Sequence, residues 1–345
     1  MRIGIVGSEQ SGKRLAKHLN NIGVSAAFIS GSLRDDPTSF LRVRKYDIVH
    51  GLYMRRFVFL SLLLGKALGK ITICHWMGTD VMRAVRETKF RLMALILNGF
   101  VDLNLVYSEN LQKELSNIGV HSVIWPIPVD SEYFAVVDLP PMPERFSVLC
   151  KIADDWLYGS DIILKLAKDL PDVRFLIVPG KDIQPSWLLS RVAEAPNLIF
   201  LGWKDNMFEV YRQTTVLLRL TRHDGLSYMV VESLALGRQV IWSHKYLPFC
   251  HYAESYDQVK DTILQIQRTP ELNVEGAQYV RKSFGSKRLI KEIVEIYSRL
   301  ASKKSRYISY ETEEANKVEH CHQESHLPIL SKLMELEIPR KPFTS

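Results

Sequence analysis

Short apolar runs of strand length alternate along this chain with longer segments that carry a single apolar face. In the first 140 residues the runs at 2–6, 24–29, 46–50, 70–75, 102–107 and 121–125 predict strands, and 12–21, 56–68, 81–97 and 108–118 predict helices. That alternation predicts a parallel sheet covered by helices on both faces. Pro126-Ile127-Pro128 interrupts it, and Leu139-Pro140-Pro141-Met142-Pro143 interrupts it again, as a linker or domain boundary would.

Beyond the prolines the pattern restarts. Strands are expected at 145–151, 173–178, 197–201, 214–220 and 238–242, and helices at 160–169, 186–193, 207–213, 256–266, 274–284 and 286–300. One more helix is expected after Ser227, with apolar residues at Tyr228, Val231, Leu234 and Ala235 on one face; Ser227 suits its N-cap and Gly237 its stop. The fold class is therefore α/β: two Rossmann-like, doubly wound domains, 1–140 and 141–301, facing across a cleft at the carboxyl ends of their strands. From Ser302 the chain is polar and aperiodic, so 302–345 is expected to be a flexible tail, with 327–334 able to form a short amphipathic helix.

Composition narrows the class. With 46% hydrophobic and 24% charged residues the chain reads as globular, and four scattered cysteines without C-x-x-C spacing suit a reducing compartment. Met1–Val6 runs into a polar turn without a secretory leader, and the apolar run 57–64 is too short to span a bilayer. A cytoplasmic protein is expected, with peripheral contact at the inner membrane face as an option. Residues 1–140 hold 17 Lys/Arg against 12 Asp/Glu, so most of the net charge of +7 lies in the first half. Arg83, Arg86, Lys89 and Arg91, with Arg55, Arg56 and Phe57, form either an interfacial patch or a solvated basic face. No nucleic-acid partner is expected.

The chemistry concentrates between Thr221 and Gly237. The strand ending at Leu220 meets a helix start through Asp224-Gly225-Leu226, and a helix start offers free N–H groups and partial positive charge to a phosphate. Asp224 lies just before that start and Glu232 within the helix, so two carboxylates flank an anion site. The expected ligand is anionic in the middle and rich in hydroxyls at both ends.

Three other clusters compete. Gly7-Ser8-Glu9-Gln10-Ser11-Gly12-Lys13-Arg14 approaches a P-loop, but Arg14 stands where Ser or Thr must hold magnesium, and no Walker-B strand follows. A tight turn lining the cleft, through Gly7 and Gly12, is the better account. His75 ends a strand and is followed by Gly78-Thr79-Asp80; it suits a hydrogen bond to a ligand or leaving group, or else a loop carbonyl. Thr79 or Asp80 could line the cleft or cap the next helix. Glu319-His320-Cys321-His322 and His326 invite a metal, yet no second ligand cluster exists, so no metal site is assigned.

The stretch Asp224-Gly225-Leu226-Ser227 with Glu232, continued by Ala235-Leu236-Gly237-Arg238-Gln239-Val240-Ile241, resembles the donor motif of the group 1 glycosyltransferases, the large retaining family of GT-B fold. Asp47–His50, Ile73–Asp80, Val129-Asp130 with Phe134, and Asn197–Trp203 agree with that family in order. The resemblance implies a nucleotide-sugar donor bound by residues 141–301 and a glycan or lipid-linked acceptor bound by 1–140, in glycan or surface-polysaccharide assembly. It implies that Glu232 holds the ribose, that Asp224 holds the transferred sugar, and that Gly225, Leu226 and Ser227 face the diphosphate. His75 would lie near the sugar, the final helix would pack back across the first domain, and no obligatory metal or other cofactor is expected. Lys151 sits near the family's clamp arginine, but Tyr158-Gly159 replaces its Lys-Gly, so a cation is missing. The rivals are a GT-B subunit without turnover, a P-loop phosphotransferase dependent on Lys13, and a sugar-nucleotide epimerase.

Overall fold

The computed structural model describes residues 1–31, 34–130, 132–135, 138–152, 155–180, 189–190 and 195–321. Residues 1–295 form one compact unit, and the chain from Ile296 a second. The larger unit holds two six-stranded parallel sheets.

The first sheet contains β1 (Ile3–Gly7), β2 (Ala26–Ile29), β3 (Ile48–Leu52), β4 (Ile71–Trp76), β5 (Leu103–Val106) and β6 (Val123–Ile124), in the order β2-β1-β3-β4-β5-β6. Its helices are α1 (Glu9–Asn20), α2 (Arg56–Ala67), α3 (Thr79–Arg86), α4 (Thr88–Phe100) and α5 (Glu109–Asn117), with a 3-10 turn at Ser39–Lys45. Every residue of β3 and β4 is buried, as strands covered on both faces require. The single helix expected over 81–97 is two, because Glu87 adopts an extended conformation (φ −109°, ψ 117°). No glycine or proline marks that break. Instead Arg83 Nε bonds Glu87 Oε1 at 2.7 Å, and the Arg83 guanidinium covers the Phe90 ring at 3.6 Å.

A short helix α6 (Glu132–Ala135) lies in the linker. The second sheet contains β7 (Ser147–Ile152), β8 (Arg174–Pro179), β9 (Leu198–Phe200), β10 (Val216–Arg219), β11 (Gln239–Trp242) and β12 (His251–Tyr252), in the order β12-β11-β10-β7-β8-β9. With it run α7 (Asp155–Tyr158), α8 (Ser160–Asp169), α9 (Phe208–Arg212), α10 (Tyr228–Ala235), α11 (Tyr256–Arg268) and α12 (Val274–Phe284). Alternate strand residues enter different cores. Val148, Cys150 and Ile152 join Val216 and Leu218 on one face, whereas Leu149 joins Leu217, Val230 and Leu234 on the other. The helix expected at 186–193 falls largely outside the described residues.

Helix α13 (Ser286–Cys321) starts in the larger unit, where the Leu289 carbonyl accepts from the buried Trp125 indole at 3.2 Å. In the second unit the same helix continues to Cys321, so the part of the tail from 302 to 321 is helical rather than irregular. No glycine or proline occurs between Ser286 and Cys321 to stop it. The amphipathic segment 327–334 and His322 and His326 of the His-rich cluster lie outside the described residues.

Each sheet has a switch point, where strand order reverses and the following loops diverge. It lies between β1 and β3 in the first sheet and between β7 and β10 in the second. A crevice opens beyond the strand ends at such points.

Candidate active site

At the second switch point β7 and β10 pair in parallel, with Leu218 opposite Cys150. One residue further, Lys151 and Arg219 leave adjacent strands on the face that carries α10. The Tyr158 ring lies 5.3 Å from Lys151 Nζ and 5.0 Å from the Arg219 guanidinium carbon. Arg219 holds Asp224 Oδ2 through Nε at 2.9 Å and Nη2 at 2.8 Å, and Thr221 Oγ1 adds a bond at 3.2 Å. Asp224 Oδ1 accepts from the Gly225 N–H at 3.1 Å, so that amide is already engaged. Burial pulls the Lys151 ammonium below its ordinary pKa, with the Arg219 charge adding to the effect against Tyr158 and Asp224.

Helix α10 starts after Ser227, which caps it through backbone geometry alone, and ends before Gly237 at φ +71°. Glu232 lies in its second turn. Its Oε1 accepts from Arg14 Nη2 at 3.0 Å and its Oε2 from the Tyr211 hydroxyl at 2.9 Å. Burial raises the carboxyl pKa and Arg14 opposes that rise. Arg14 comes from α1 of the other sheet and also meets Asp130 Oδ2 at 3.0 Å through Nε. Burial works against its charge, yet Glu232, Tyr228 and Asp130 hold its pKa above the ordinary value.

The halves meet at several other points around the motif. The Tyr107 and Tyr228 hydroxyls are 2.6 Å apart, Asn110 Nδ2 donates to the Asp224 carbonyl at 3.0 Å, and His223 Nε2 lies 2.9 Å from Glu114 Oε2. Gly225 permits this approach. A Cβ there would stand 2.6 Å from Leu111 Cδ1 and 2.8 Å from the Met77 carbonyl oxygen.

The cavity enclosed by this arrangement measures about 220 Å³. Lys151, Arg219, Asp224, Leu226, Ser227, Tyr228 and Glu232 line it from the second sheet's side, and Gln10, Ser11, Arg14, Met77 and Tyr107 from the first. A second cavity, of about 870 Å³, shares Gln10, Lys151 and Trp203 with it and extends over Gly7, Glu9, Lys13, Arg42 and Arg55. Gly7 ends β1 at the turn with φ +114°, where a Cβ would stand 1.9 Å from the Leu52 carbonyl oxygen.

Other expected residues lie elsewhere. Gly12 is inside α1, packed on the Phe28 ring, because the helix begins three residues before the apolar pattern does. His75 is fully buried in β4 rather than facing the cavity. Its Nδ1 is 3.3 Å from His50 Nε2, and its ring packs on Tyr107 and Trp125. Burial, then the neighbouring His50, keeps its pKa well below the usual value. Asp80 is also buried and accepts from the N–H groups of Met54 (2.9 Å), Gly78 (2.8 Å) and Val81 (3.1 Å), anchoring the start of α3. Thr79 Oγ1 is 2.6 Å from the Tyr53 hydroxyl. Among the described residues no group of His, Cys, Asp and Glu is arranged to hold a metal.

The contact of Arg14 with Glu232, and the roles of Arg219, Tyr107 and Tyr211, are not expected from the sequence motifs. Two of them carried a signal. Arg14 occupies a position that a P-loop cannot use, and Arg219 puts a charge into an otherwise apolar strand on the face shared with Leu217.

Residues 155–252 match the sequence model of the family described as glycosyl transferases group 1. No curated protein matches the chain by sequence. Among solved structures, Anabaena HepE in complex with UDP-glucose is similar with a TM-score of 0.68 at 12% identity, over 87% of this chain and 100% of that one. The sucrose-phosphate synthase of Thermosynechococcus elongatus is similar with a TM-score of 0.70 at 14% identity, over 88% and 100%. AviGT4, a glycosyltransferase involved in avilamycin A biosynthesis, gives 0.59 at 14% identity, over 88% and 98%. These likenesses establish the GT-B fold, and the residues that match the group 1 glycosyltransferase model lie on the second sheet's side.

Proposed function

We propose that this chain moves a sugar, with retention, from a nucleotide-sugar to a glycan or lipid-linked acceptor in glycan or surface-polysaccharide assembly. The observation that carries the reading is the cavity at the second switch point, where Lys151 meets the start of α10, Asp224 and Glu232, the last three inside the segment that matches the group 1 glycosyltransferase model. In this reading Glu232 accepts from ribose hydroxyls and Asp224 from hydroxyls of the transferred sugar. The diphosphate lies between them, against Lys151, the Tyr158 hydroxyl and the amides at Leu226 and Ser227. As the glycosidic bond breaks, negative charge grows on the diphosphate, and a fixed ammonium and a helix start are suited to stabilise it without an obligatory metal. The complex of HepE with UDP-glucose makes UDP-sugars the first donors to try.

The larger, contiguous cavity on the first sheet's side is the natural acceptor entrance, with polar side chains of both signs for hydroxyl groups. Lys89 and Arg91 flank Leu92 on the outer face of α4, where Leu92 is 60% exposed, which supports peripheral contact with an anionic bilayer. Among the described residues no helix is long and apolar enough to cross a membrane.

One observation favours a second reading, a GT-B subunit without turnover: both Glu232 oxygens are already engaged, by Arg14 and Tyr211. Calorimetry against UDP-, GDP- and ADP-sugars separates the two. The donor reading expects binding to one of them that Glu232→Ala abolishes, and unchanged affinity in that variant would sink it.

A further inference from the structure

We infer that Arg219 is a diphosphate-binding cation of the donor subsite, and that position 158 holds no lysine because Arg219 already places a cation in that space. The inference rests on the donor reading above and deepens it.

Strand register supplies the first argument. Lys151 and Arg219 follow the paired residues Cys150 and Leu218 on neighbouring strands, so both cations emerge side by side at the switch point. Both line the cavity. Hydrogen bonding supplies the second. The Nε and Nη2 edge of Arg219 is spent on Asp224, whereas Nη1 faces the Met229 sulfur at 3.9 Å. A thioether is a weak acceptor, and a phosphate oxygen in its place would gain a charge-assisted bond.

Charge supplies the third. The buried Arg219 and the half-buried Lys151 stand beside one carboxylate, Asp224, which leaves a positive excess for an anion to neutralise. The Tyr158 ring lies about equally far from both cations, 5.3 Å from Lys151 Nζ and 5.0 Å from the Arg219 guanidinium carbon. A lysine at 158 would bring a third positive charge into the same contact, and like charges at that separation repel strongly in a shielded site. An aromatic ring instead offers both cations a negative face. The cation missing at 158 has thus moved across the switch point to the end of β10.

The test compares UDP with uridine, so that the readout is the phosphate contribution alone. Arg219→Gln keeps hydrogen-bonding capacity toward Asp224 and removes the charge. It should reduce the preference for UDP over uridine roughly tenfold or more, while Arg219→Lys should keep most of it. Tyr158→Lys combined with Arg219→Gln should restore the preference to within about threefold of the wild type. Thermal melts check that each variant folds, and Arg219→Met, which keeps the length of the side chain without its charge, carries the comparison if the glutamine variant does not. An unchanged UDP-to-uridine ratio in Arg219→Gln, with a loss confined to UDP-glucose relative to UDP, would mean that Arg219 only positions Asp224 and would overturn the inference. Failure of the wild type to bind UDP, GDP or ADP would overturn the donor reading and this inference together.

Discussion

The Arg14 guanidinium donates through Nη2 to Glu232 Oε1 at 3.0 Å, joining the first helix of one sheet to the motif helix of the other. Its Nε reaches Asp130 in the linker at 3.0 Å, and its carbon lies 4.4 Å from the centre of the Tyr228 ring. One side chain therefore ties both sheets and their connection at the carboxylate proposed to hold the ribose. Both partners are shielded, with side-chain exposures of 9% and 5%, so solvent does little to weaken the pair.

Arg14→Ala should be strongly destabilising, because it leaves Glu232 buried without its cation. Deleting one partner of a buried pair costs about 3–5 kcal/mol. Urea unfolding measures this, and Arg14→Lys should recover part of the loss by keeping the charge without the fork. A cost under about 1 kcal/mol would show that the pair behaves as an exposed one.

Acid should weaken the fold through the buried histidine pair. Burial lowers His50 to about 3 and His75 well below its ordinary value, whereas both titrate near 6.5 in the unfolded chain. Between those values the unfolded state binds more protons. The stability from burying them neutral is complete above about pH 6.5 and is lost as pH falls, by up to about 1.4 kcal/mol per unit for each. Urea midpoints measured across this window should show a shallower slope in His50→Gln than in the wild type. Equal slopes would remove the pair from the account.

Gly225→Ala should part the two halves locally. The new Cβ meets the Met77 carbonyl oxygen, which is backbone and cannot rotate away, as well as Leu111. Overpacking of this kind costs about 1–3 kcal/mol. Thermal unfolding would reveal it, and a neutral substitution would show that the closed approach is not kept in solution.

Tyr107→Phe removes a hydroxyl that pairs with Tyr228 at 2.6 Å across the same junction. The expected cost is about 1 kcal/mol, smaller than for Arg14 because both groups are neutral. A loss as large as that of Arg14→Ala would mean that the hydroxyl pair, not the ion pair, holds the junction.

Much of this architecture is legible in the amino-acid sequence. Strands such as 70–75 and helices such as 160–169 and 274–284 are local statements, set by apolar period and by residues that start or stop a helix. Parallel alternation, the proline-marked linker and the Asp224–Glu232 motif then imply two sheets and a site at the second. The break at Glu87 was not legible, because it depends on where the Arg83 side chain folds back. The continuation of the last helix to Cys321 was legible in principle, through the absence of any breaker, but its polar composition hid it.

The chain's own pattern fixes most of the strands and helices, their parallel order and the position of the motif. These follow from short-range sterics and from burial periodicity along the chain. Which charges meet is set by the folded arrangement. Arg14 and Glu232 are 218 residues apart, and Lys151 and Arg219 belong to strands far apart in sequence. Their pairings depend on strand register, on the closeness that Gly225 allows between the halves, and on desolvation that exists once both sheets are in place. For the same reason His75, read as a ligand contact from its place at a strand end, lies in the core: exposure is a property of everything packed around a residue, and no single stretch of sequence contains it.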